Sequence, residues 1–235
     1  MPSSRSSTLS STYVLHQEGE FSLHLCLEQE ARKEAFAIRY KAYLSGGTIP
    51  ENEEELFYDP YDNQANTRIF LVRKAGITIG TVRTMEWSSV YDWIPTSMIN
   101  DHYHDLMKTM GAKTPLMETG RLAFNKHLRM KDRLKVRAFL IKAAQLRSCL
   151  HDIRAVFIGV EPQFVPFYRK AWNFEVVNSK INADVDMQGT LLVSFTPLLT
   201  QNYLYFPPYL NMDDQEVLNR MIEIESHLVP TQKNA

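Results

Sequence analysis

The stretch TPLMETGRLAF, residues 114–124, has the pattern of a buried strand but carries two charges. Glu118 and Arg121 lie three positions apart, and side chains along a strand alternate between its two faces. Regular pairing would therefore send the two charges to opposite faces. We expect a β-bulge at Thr119-Gly120, because an extra residue re-aims the side chain that follows and glycine tolerates strained dihedral angles. Such a bulge would turn both charges toward one cleft.

The composition is that of an ordinary folded domain. The 235 residues are 44% hydrophobic and 23% charged with a formal net charge of −1, which argues against a general nucleic-acid binder. Two cysteines, Cys26 and Cys149, suggest no disulfide framework and favour a reducing compartment. Residues 1–13 are rich in Ser and Thr, so we expect disorder there and no signal peptide.

No apolar run approaches the roughly 20 residues that a transmembrane helix needs. The sequence therefore predicts a cytoplasmic enzyme or binding domain, with residues 14–235 as a single domain.

Apolar periodicity predicts the elements around the opening strand. Helices are expected over 27–44, 96–110, 132–150, 163–172 and 212–227, and further strands over 68–73, 77–85, 153–162, 174–177 and 190–199. The strand at 68–73 is apolar at successive positions, as in a strand covered on both faces. Together they predict one α/β domain with a mixed central sheet flanked by helices, and a C-terminal helical extension at about 212–227.

This order of elements resembles the acyl-CoA N-acyltransferase (GNAT) fold. The segment VEPQFVPFYRKAWNFEVV, residues 160–177, resembles the part of that fold in which a Phe-Tyr pair on a short helix precedes an aromatic strand. The resemblance implies that Tyr168 protonates the leaving thiolate; the alternative is a tyrosine that only packs. It also implies strands splayed at the bulge to admit a pantetheine arm.

A charged set narrows the resemblance to a branch of this fold, the acyl-homoserine-lactone synthases. Their pattern has an Arg and an aromatic residue four apart, two Asp three apart, an Arg that closes the second strand, and a later Glu and Arg three apart. The matching residues, in the same order, are Arg39, Tyr43, Asp59, Asp62, Arg83, Glu118 and Arg121. The chain departs from that family where LSGGTIP, residues 44–50, replaces an expected tryptophan, and in its longer excursion and tail.

Those departures make the chain resemble the related N-acyl amino acid synthases over roughly residues 27–198. That family keeps the charged set and joins a long acyl chain to an amino acid. The resemblance implies transfer of a long-chain fatty acyl group from an acyl carrier protein thioester to the α-amine of an amino acid. The alternatives are an acyl-homoserine-lactone synthase, an exosortase-associated acyltransferase and a non-catalytic acyl- or carrier-binding module.

Amide formation from a thioester needs a base, and Glu118 is the best candidate. The acceptor ammonium must lose a proton before it attacks, and a carboxylate in a partly dry strand environment has a raised proton affinity. Guanidiniums suit a bidentate grip on the acceptor carboxylate, and aspartates can orient them or hold the amine. Structural salt bridges are the alternative. The expected substrate site comprises Arg39, Tyr43, Asp59, Asp62, Arg83, Gly120 and Arg121.

A basic segment without glycine stands where acetyl-CoA enzymes of this fold present a Gly-rich turn to the pyrophosphate. The segment NKHLRMKDRLKVRAF, residues 125–139, carries a single acid, Asp132. Its basic residues are Lys126, Arg129, Lys131, Arg133, Lys135 and Arg137. This patch suits an acidic acyl carrier protein with its acyl-phosphopantetheine thioester, with acyl-CoA as the other donor. A solvated helix face is the alternative.

No bound cofactor, metal site or thiol nucleophile is expected. The motif DHYHD, residues 101–105, offers His102 and His104, but no third or fourth ligand is evident, and zinc sites need more. Neither cysteine lies in a motif that places a base beside it. The apolar gap in the sheet and the aromatic segment from Tyr203 to Tyr209 are candidates for enclosing the acyl chain.

Overall fold

The computed structural model describes residues 12–87, 114–182, 188–195 and 211–227. Within these ranges eight strands form one mixed sheet in the order β1-β2-β3-β4-β5-β6-β8-β7. The strands are β1 (Thr12–Glu18), β2 (Phe21–Cys26), β3 (Thr67–Lys74), β4 (Ile77–Trp87), β5 (Leu116–Phe124), β6 (Ala155–Val160), β7 (Glu175–Asn182) and β8 (Gln188–Phe195). The helices are α1 (Gln29–Ser45), α2 (Met130–Leu150), α3 (Val165–Trp172) and α4 (Asp214–Ser226).

Helices α1 and α2 cover opposite faces of the sheet, as the side chains of β3 show. Ile69 and Leu71 pack in the cluster that contains the buried face of α1. Phe70 and Val72 pack in the cluster that contains the apolar residues of α2. The continuous apolar run at 68–73 is therefore confirmed as a strand covered on both faces.

The strands predicted at 68–73 and 77–85 are confirmed, and they form a hairpin. Strands β3 and β4 pair in antiparallel fashion and meet at Ala75 and Gly76. Both residues have positive φ, 48° and 80°, which is the backbone pattern of a tight hairpin turn.

An N-terminal hairpin extends the sheet beyond the predicted elements. Strand β1 pairs with β2, which pairs in turn with β3, so the hairpin forms one edge of the sheet. Thr12 and Tyr13 belong to β1, although disorder was expected through residue 13. Residues 1–11 lie outside the described residues. The hairpin was missed because His24, a polar residue, occupies a buried position in β2 and breaks the apolar pattern.

Helix α4 docks on α2 through buried ion pairs. Arg147 of α2, which is fully buried, donates to Glu86 of β4 at 2.7 Å and to Glu225 of α4. Lys142 lies 2.8 Å from Asp214. Burial acts to raise the pKa of Glu225, but His151, Arg147 and Arg68 outweigh it and hold the pKa far below its usual value.

Some predicted features lie outside the described residues. These are the helix at 96–110, the His102–His104 motif and the aromatic segment from Tyr203 to Tyr209. Within the described ranges, no helix combines the length and apolar character that crossing a bilayer requires.

Candidate active site

A β-bulge interrupts β5, two residues later than predicted. Thr81 pairs with Ala123 and Arg83 pairs with Gly120, so Arg121 and Leu122 together oppose a single residue of β4. The positive φ, 54°, falls on Arg121 and not on Gly120. The expectation that Gly120 carries the strained dihedral is therefore wrong.

The strained backbone at Arg121 allows its side chain to contact Asp59 and Phe57. A left-handed backbone costs a non-glycine residue about 1–3 kcal/mol. In this conformation Nη2 of Arg121 donates to Oδ2 of Asp59 at 2.7 Å, and the guanidinium lies over the ring of Phe57 at 5.1 Å. Asp59 also binds Arg83, which lies beside Glu118, so the bulge brings both charges of β5 into one cluster.

Arg83 of β4 lies at the centre of that cluster. Its Nη1 donates to Oδ1 of Asp59 at 2.7 Å and lies 3.2 Å from Oδ1 of Asp62. Its Nη2 lies 3.9 Å from Oε1 of Glu118. Arg39 of α1 completes the cluster, since its Nη1 donates to Asp62 at 2.7 Å. Three guanidiniums thus face three carboxylates.

The turn before β3 fixes the two aspartates through its own hydrogen bonds. Asp59 caps a short 3₁₀ helix (Pro60–Asn63) by accepting from the backbone N–H of Tyr61 at 2.9 Å. Asp62 accepts from the backbone N–H of Asp59 at 3.0 Å and is fully buried. Arg32, which the sequence did not indicate, donates to the carbonyl of Asp62 at 2.7 Å. The aspartates therefore orient arginines, one of the two roles expected for them.

Two members of the cluster, Asp59 and Arg83, have pKa values shifted in favour of their charged forms. Burial acts to raise the pKa of Asp59, but Arg83 and Arg121 outweigh it and hold the pKa below its usual value. Burial acts to lower the pKa of Arg83, but Asp62, Asp59 and Glu118 raise it above its usual value. Each of these charges thus depends on the others for its stabilisation.

A cavity of about 240 Å³ opens where β5 and β6 separate. The two strands pair in parallel from Leu116 to Thr119 and then diverge, although both continue. This confirms the splayed strands that the fold class predicts. The cavity wall is mostly apolar and is formed by β5, β6, α2 and α3.

The predicted site residues divide between this cavity and the buried cluster. Those that line the cavity are Tyr43, Gly120, Arg121, Arg137 and Tyr168. Arg39 and Arg83 are buried away from it, 0% and 2% exposed, and their short contacts go to aspartates. Of the three arginines expected to grip a substrate carboxylate, Arg121 is the one that lines the cavity.

Glu118 lies next to the cavity wall. It is 6% exposed, and its Oε1 is 3.7 Å from the position that a Cβ on Gly120 would occupy. Gly120 lines the cavity and has no side chain, so the carboxylate lies beside a residue of the cavity wall. A carboxylate so placed can accept a proton from a group that enters beside Gly120.

Tyr168 of α3 packs among aromatic residues at the cavity wall. Its ring lies 5.4 Å from Phe167, 5.5 Å from Trp172 and 5.9 Å from Phe174, centroid to centroid. Burial raises the pKa of Tyr168 against the opposing effect of Arg137. The hydroxyl is therefore protonated at neutral pH and able to act as an acid.

The six basic residues of segment 125–139 do not form one surface. Lys126, Arg129 and Lys131 are exposed around the start of α2. Arg133 donates to the carbonyl of Lys126 at 2.9 Å. The other two turn elsewhere: Lys135 pairs with Glu18 at 2.6 Å, and Arg137 lies over Phe124 and Phe167 at 5.6 and 5.5 Å and lines the cavity.

Several residues at the site were not found by sequence reasoning. Phe57 contacts Arg121 and also Tyr43, with ring centroids 5.1 Å apart. Gln145 of α2 and Thr119 of β5 both line the cavity. A polar Gln between apolar residues of a predicted helix was the available signal. Among the described residues, no group of three or more His, Cys, Asp or Glu is arranged to hold a metal ion.

The chain matches the model of a family described as N-acyl amino acid synthase FeeM over residues 34–193. The structure of FeeM, an N-acyl amino acid synthase from uncultured soil microbes, aligns with a TM-score of 0.64 at 13% identity, over 78% of this chain and 94% of that one. None of the curated protein sequences compared with the chain matches it.

Two lactone synthases share the fold. The acyl-homoserine-lactone synthase LasI aligns with a TM-score of 0.52 at 15% identity, over 75% of this chain and 90% of that one. BjaI, a CoA-dependent acyl-homoserine-lactone synthase, aligns with a TM-score of 0.53 at 17% identity, over 83% of this chain and 92% of that one.

Proposed function

Because the chain belongs to the N-acyl amino acid synthase FeeM family, we propose that it transfers a long-chain fatty acyl group from the thioester of an acyl carrier protein to the α-amine of an amino acid. One observation carries the proposal. The buried carboxylate of Glu118 lies next to Gly120, which lines an apolar cavity between two separated strands. This arrangement supports Glu118 as the base, because its carboxylate is near the space that an acyl thioester needs.

The acceptor side of the site is assigned to Glu118 and Arg121. Arg121 is 23% exposed at its side chain and lines the cavity, so it can bind the carboxylate of the amino acid. Glu118 then accepts the proton of the ammonium group, directly or through a water molecule. Asp59 holds the guanidinium of Arg121 in position. The charges of the two aspartates are balanced further by ion pairs of Asp59 with Arg83 and of Asp62 with Arg39.

The chemical step needs no covalent enzyme intermediate. The neutral amine attacks the thioester carbonyl, the C–N bond forms, and the C–S bond breaks. Tyr168 protonates the departing thiolate, and the second proton lost by the nitrogen restores the phenol. A backbone N–H at the bulge of Arg121 and Leu122 is the candidate that stabilises the oxyanion.

The cavity supports a long acyl chain. Its wall along α2 runs from Arg137 to Ser148, which at 1.5 Å per residue is about 17 Å. Most of the side chains of the cavity wall as a whole are apolar and bury an alkyl chain without polar cost.

The start of α2 supports a carrier protein as the donor. Lys126, Arg129 and Lys131 are exposed there, and no side chain among the described residues caps the helix, so its first N–H groups suit one phosphate. Met130 and Leu134 are 67% and 45% exposed beside these charges, which gives the surface an apolar centre with a basic rim. Acyl-CoA is the competing donor, since the related BjaI is CoA-dependent.

A panel of substrates tests the proposal. The full chain is incubated with dodecanoyl and hexadecanoyl thioesters of acyl carrier protein or of CoA, with pooled amino acids or with S-adenosylmethionine. We expect acyl-amino acids by mass spectrometry, formed faster from the carrier protein. Lactone formed only with S-adenosylmethionine would contradict the proposed acceptor. Acyl binding without turnover on any acceptor would indicate a non-catalytic module.

A further inference from the structure

Two polar side chains that line the cavity have buried atoms without hydrogen-bond partners among the described residues. Gln145 of α2 is 6% exposed, and neither its Oε1 nor its Nε2 has a hydrogen-bond partner among the residues that the structure describes. Thr119 of β5 lines the same cavity, and its buried Oγ1 is also unpartnered within those residues. A buried polar group left unpaired costs about 1–3 kcal/mol, so a ligand that supplies partners is favoured there.

An unsubstituted alkyl chain cannot supply those partners. The carboxamide of Gln145 presents one acceptor and one donor group, and the hydroxyl of Thr119 can act as either. A ligand hydroxyl donates to Oε1 of Gln145 and accepts from Nε2 or from Thr119. A ligand ketone only accepts hydrogen bonds, so a hydroxyl can pair with more of the unpartnered atoms of Gln145 and Thr119.

The position of the pair identifies the part of the donor that it meets. The β5–β6 ladder ends at Thr119 and Ile158, and the strands open beyond that point, toward Phe124. Arg137, which packs on Phe124, marks the open side of the cleft. Gln145 lies eight residues further along α2, about 12 Å deeper toward the closed side.

A thioester arm that enters past Arg137 therefore brings its acyl chain, and not its phosphate, to Gln145. Thr119 precedes Arg121 by two residues in β5, and the bulge at Arg121 and Leu122 holds the candidate N–H for the oxyanion. At about 3.3 Å per residue this N–H is roughly 7 Å from Thr119 along the strand, so the polar pair is assigned to the first part of the acyl chain.

We propose that the preferred acyl donor carries a hydroxyl group near its thioester end, bound by Gln145 and Thr119. The inference rests on the proposed function for the identity of the donor, but its binding component does not. The chemical class of the substrate is thereby narrowed from fatty acyl to hydroxy fatty acyl thioesters.

The test compares dodecanoyl and β-hydroxydodecanoyl thioesters of one carrier protein with the same acceptor. The wild-type chain is expected to favour the hydroxylated donor in kcat/KM on the order of tenfold or more. Gln145→Leu and Thr119→Val are expected to reduce or reverse that preference. Thr84→Val is the matched control, because Thr84 of β4 also has an unpartnered buried Oγ1 but lies outside the cavity wall.

Equal kcat/KM for the two donors, or a preference that survives both cavity substitutions, would overturn the inference and leave the acyltransferase proposal standing. A binding measurement tests the case in which the acyltransferase proposal fails and the hydroxyl site is real. Calorimetry with free β-hydroxydodecanoic and dodecanoic acids measures binding to the cavity without any acyl transfer. Absence of transfer together with tighter, Gln145-dependent binding of the hydroxy acid would overturn the proposed function and retain the hydroxyl site.

Discussion

Arg83 and Glu118 face each other from adjacent strands, with Nη2 of the guanidinium 3.9 Å from Oε1 of the carboxylate. The shorter contacts of Arg83 go to Asp59 and Asp62, at 2.7 and 3.2 Å. One residue therefore holds the aspartates of the turn before β3 and also supplies positive charge next to the candidate base.

Removal of Arg83 is expected to destabilise the fold strongly. Arg83→Met leaves buried carboxylates without their shared partner, and breaking a buried pair in this way costs about 3–5 kcal/mol. Urea unfolding at pH 7 measures the loss. Arg154→Met is the control, because Arg154 pairs with Asp152 at the surface, where such pairs contribute about 0–1 kcal/mol. Similar losses in the two variants would contradict the central position of Arg83.

Gly120→Ala is expected to fold with little change in stability. Gly120 lacks a positive φ, and an added Cβ would meet only Oε1 of Glu118, at an ordinary 3.7 Å. The free energy of unfolding should change by less than about 0.5 kcal/mol. Gly76→Ala provides the contrast, since Gly76 has φ of 80° and alanine there is strained by about 1–2 kcal/mol. A large loss in Gly120→Ala would show that the glycine has a backbone role after all.

The N-terminal hairpin should make stability depend on pH. His24 contacts Oγ1 of Thr12 at 2.9 Å and Oγ of Ser22 at 2.7 Å. Burial, with Arg73, lowers the pKa of His24 from 6.5 to about 4. The folded chain therefore keeps His24 neutral where the unfolded chain binds a proton.

The sign follows from that difference. The contribution of neutral His24 to the free energy of unfolding is fully present above pH 6.5. It is lost as pH falls toward 4, by at most about 1.4 kcal/mol per pH unit. Denaturant titrations between pH 7 and pH 4 should show a steeper decline in the wild type than in His24→Gln. His127→Gln, at an exposed position, should keep the wild-type slope. Equal slopes in wild type and His24→Gln would refute the assignment.

The exposed basic residues at the start of α2 should affect a carrier-protein donor selectively. Arg129→Glu with Lys131→Glu is expected to raise KM for the acyl carrier protein at least tenfold, because charge reversal slows steered association. KM for an acyl-pantetheine thioester without the protein should change little, and added salt should imitate the mutations. Lys33→Glu, on the exposed face of α1, is the control. Equal effects on both donors would argue against carrier docking.

Much of the architecture was readable from the sequence, since the apolar run of β3 is buried, as are the periodic apolar residues Ala31, Ala35 and Ile38 of α1. The N-terminal hairpin was not, because His24 is buried through hydrogen bonds that no pattern encodes. Nor was the position of the bulge, because glycine adopts positive φ most easily and yet Arg121 adopts it here. The ion pair of Arg121 with Asp59, which depends on a distant turn, offsets the backbone cost.

The spacing in the sequence predicted the charged residues that the structure brings together, but it did not predict which contacts each of them makes. Spacing cannot show whether an arginine binds a substrate or a residue of its own chain. The capped turn at Asp59 and Asp62 brings carboxylates to Arg39, Arg83 and Arg121, and of the three arginines Arg121 is the one that also lines the cavity. Gln145 gave only a weak signal, because one polar residue in a helix usually faces solvent.

The most direct test of the account is the rate of acyl transfer by Glu118→Gln, measured in single turnover with a carrier thioester and the preferred amino acid. The substitution keeps the shape of the side chain and removes the base, so we predict a loss of about 10²–10⁴-fold in rate with acyl binding retained. The loss should shrink as pH rises and more of the acceptor amine becomes neutral in solution. A variant that transfers acyl groups at the wild-type rate near neutral pH would contradict the assignment of Glu118 as the base.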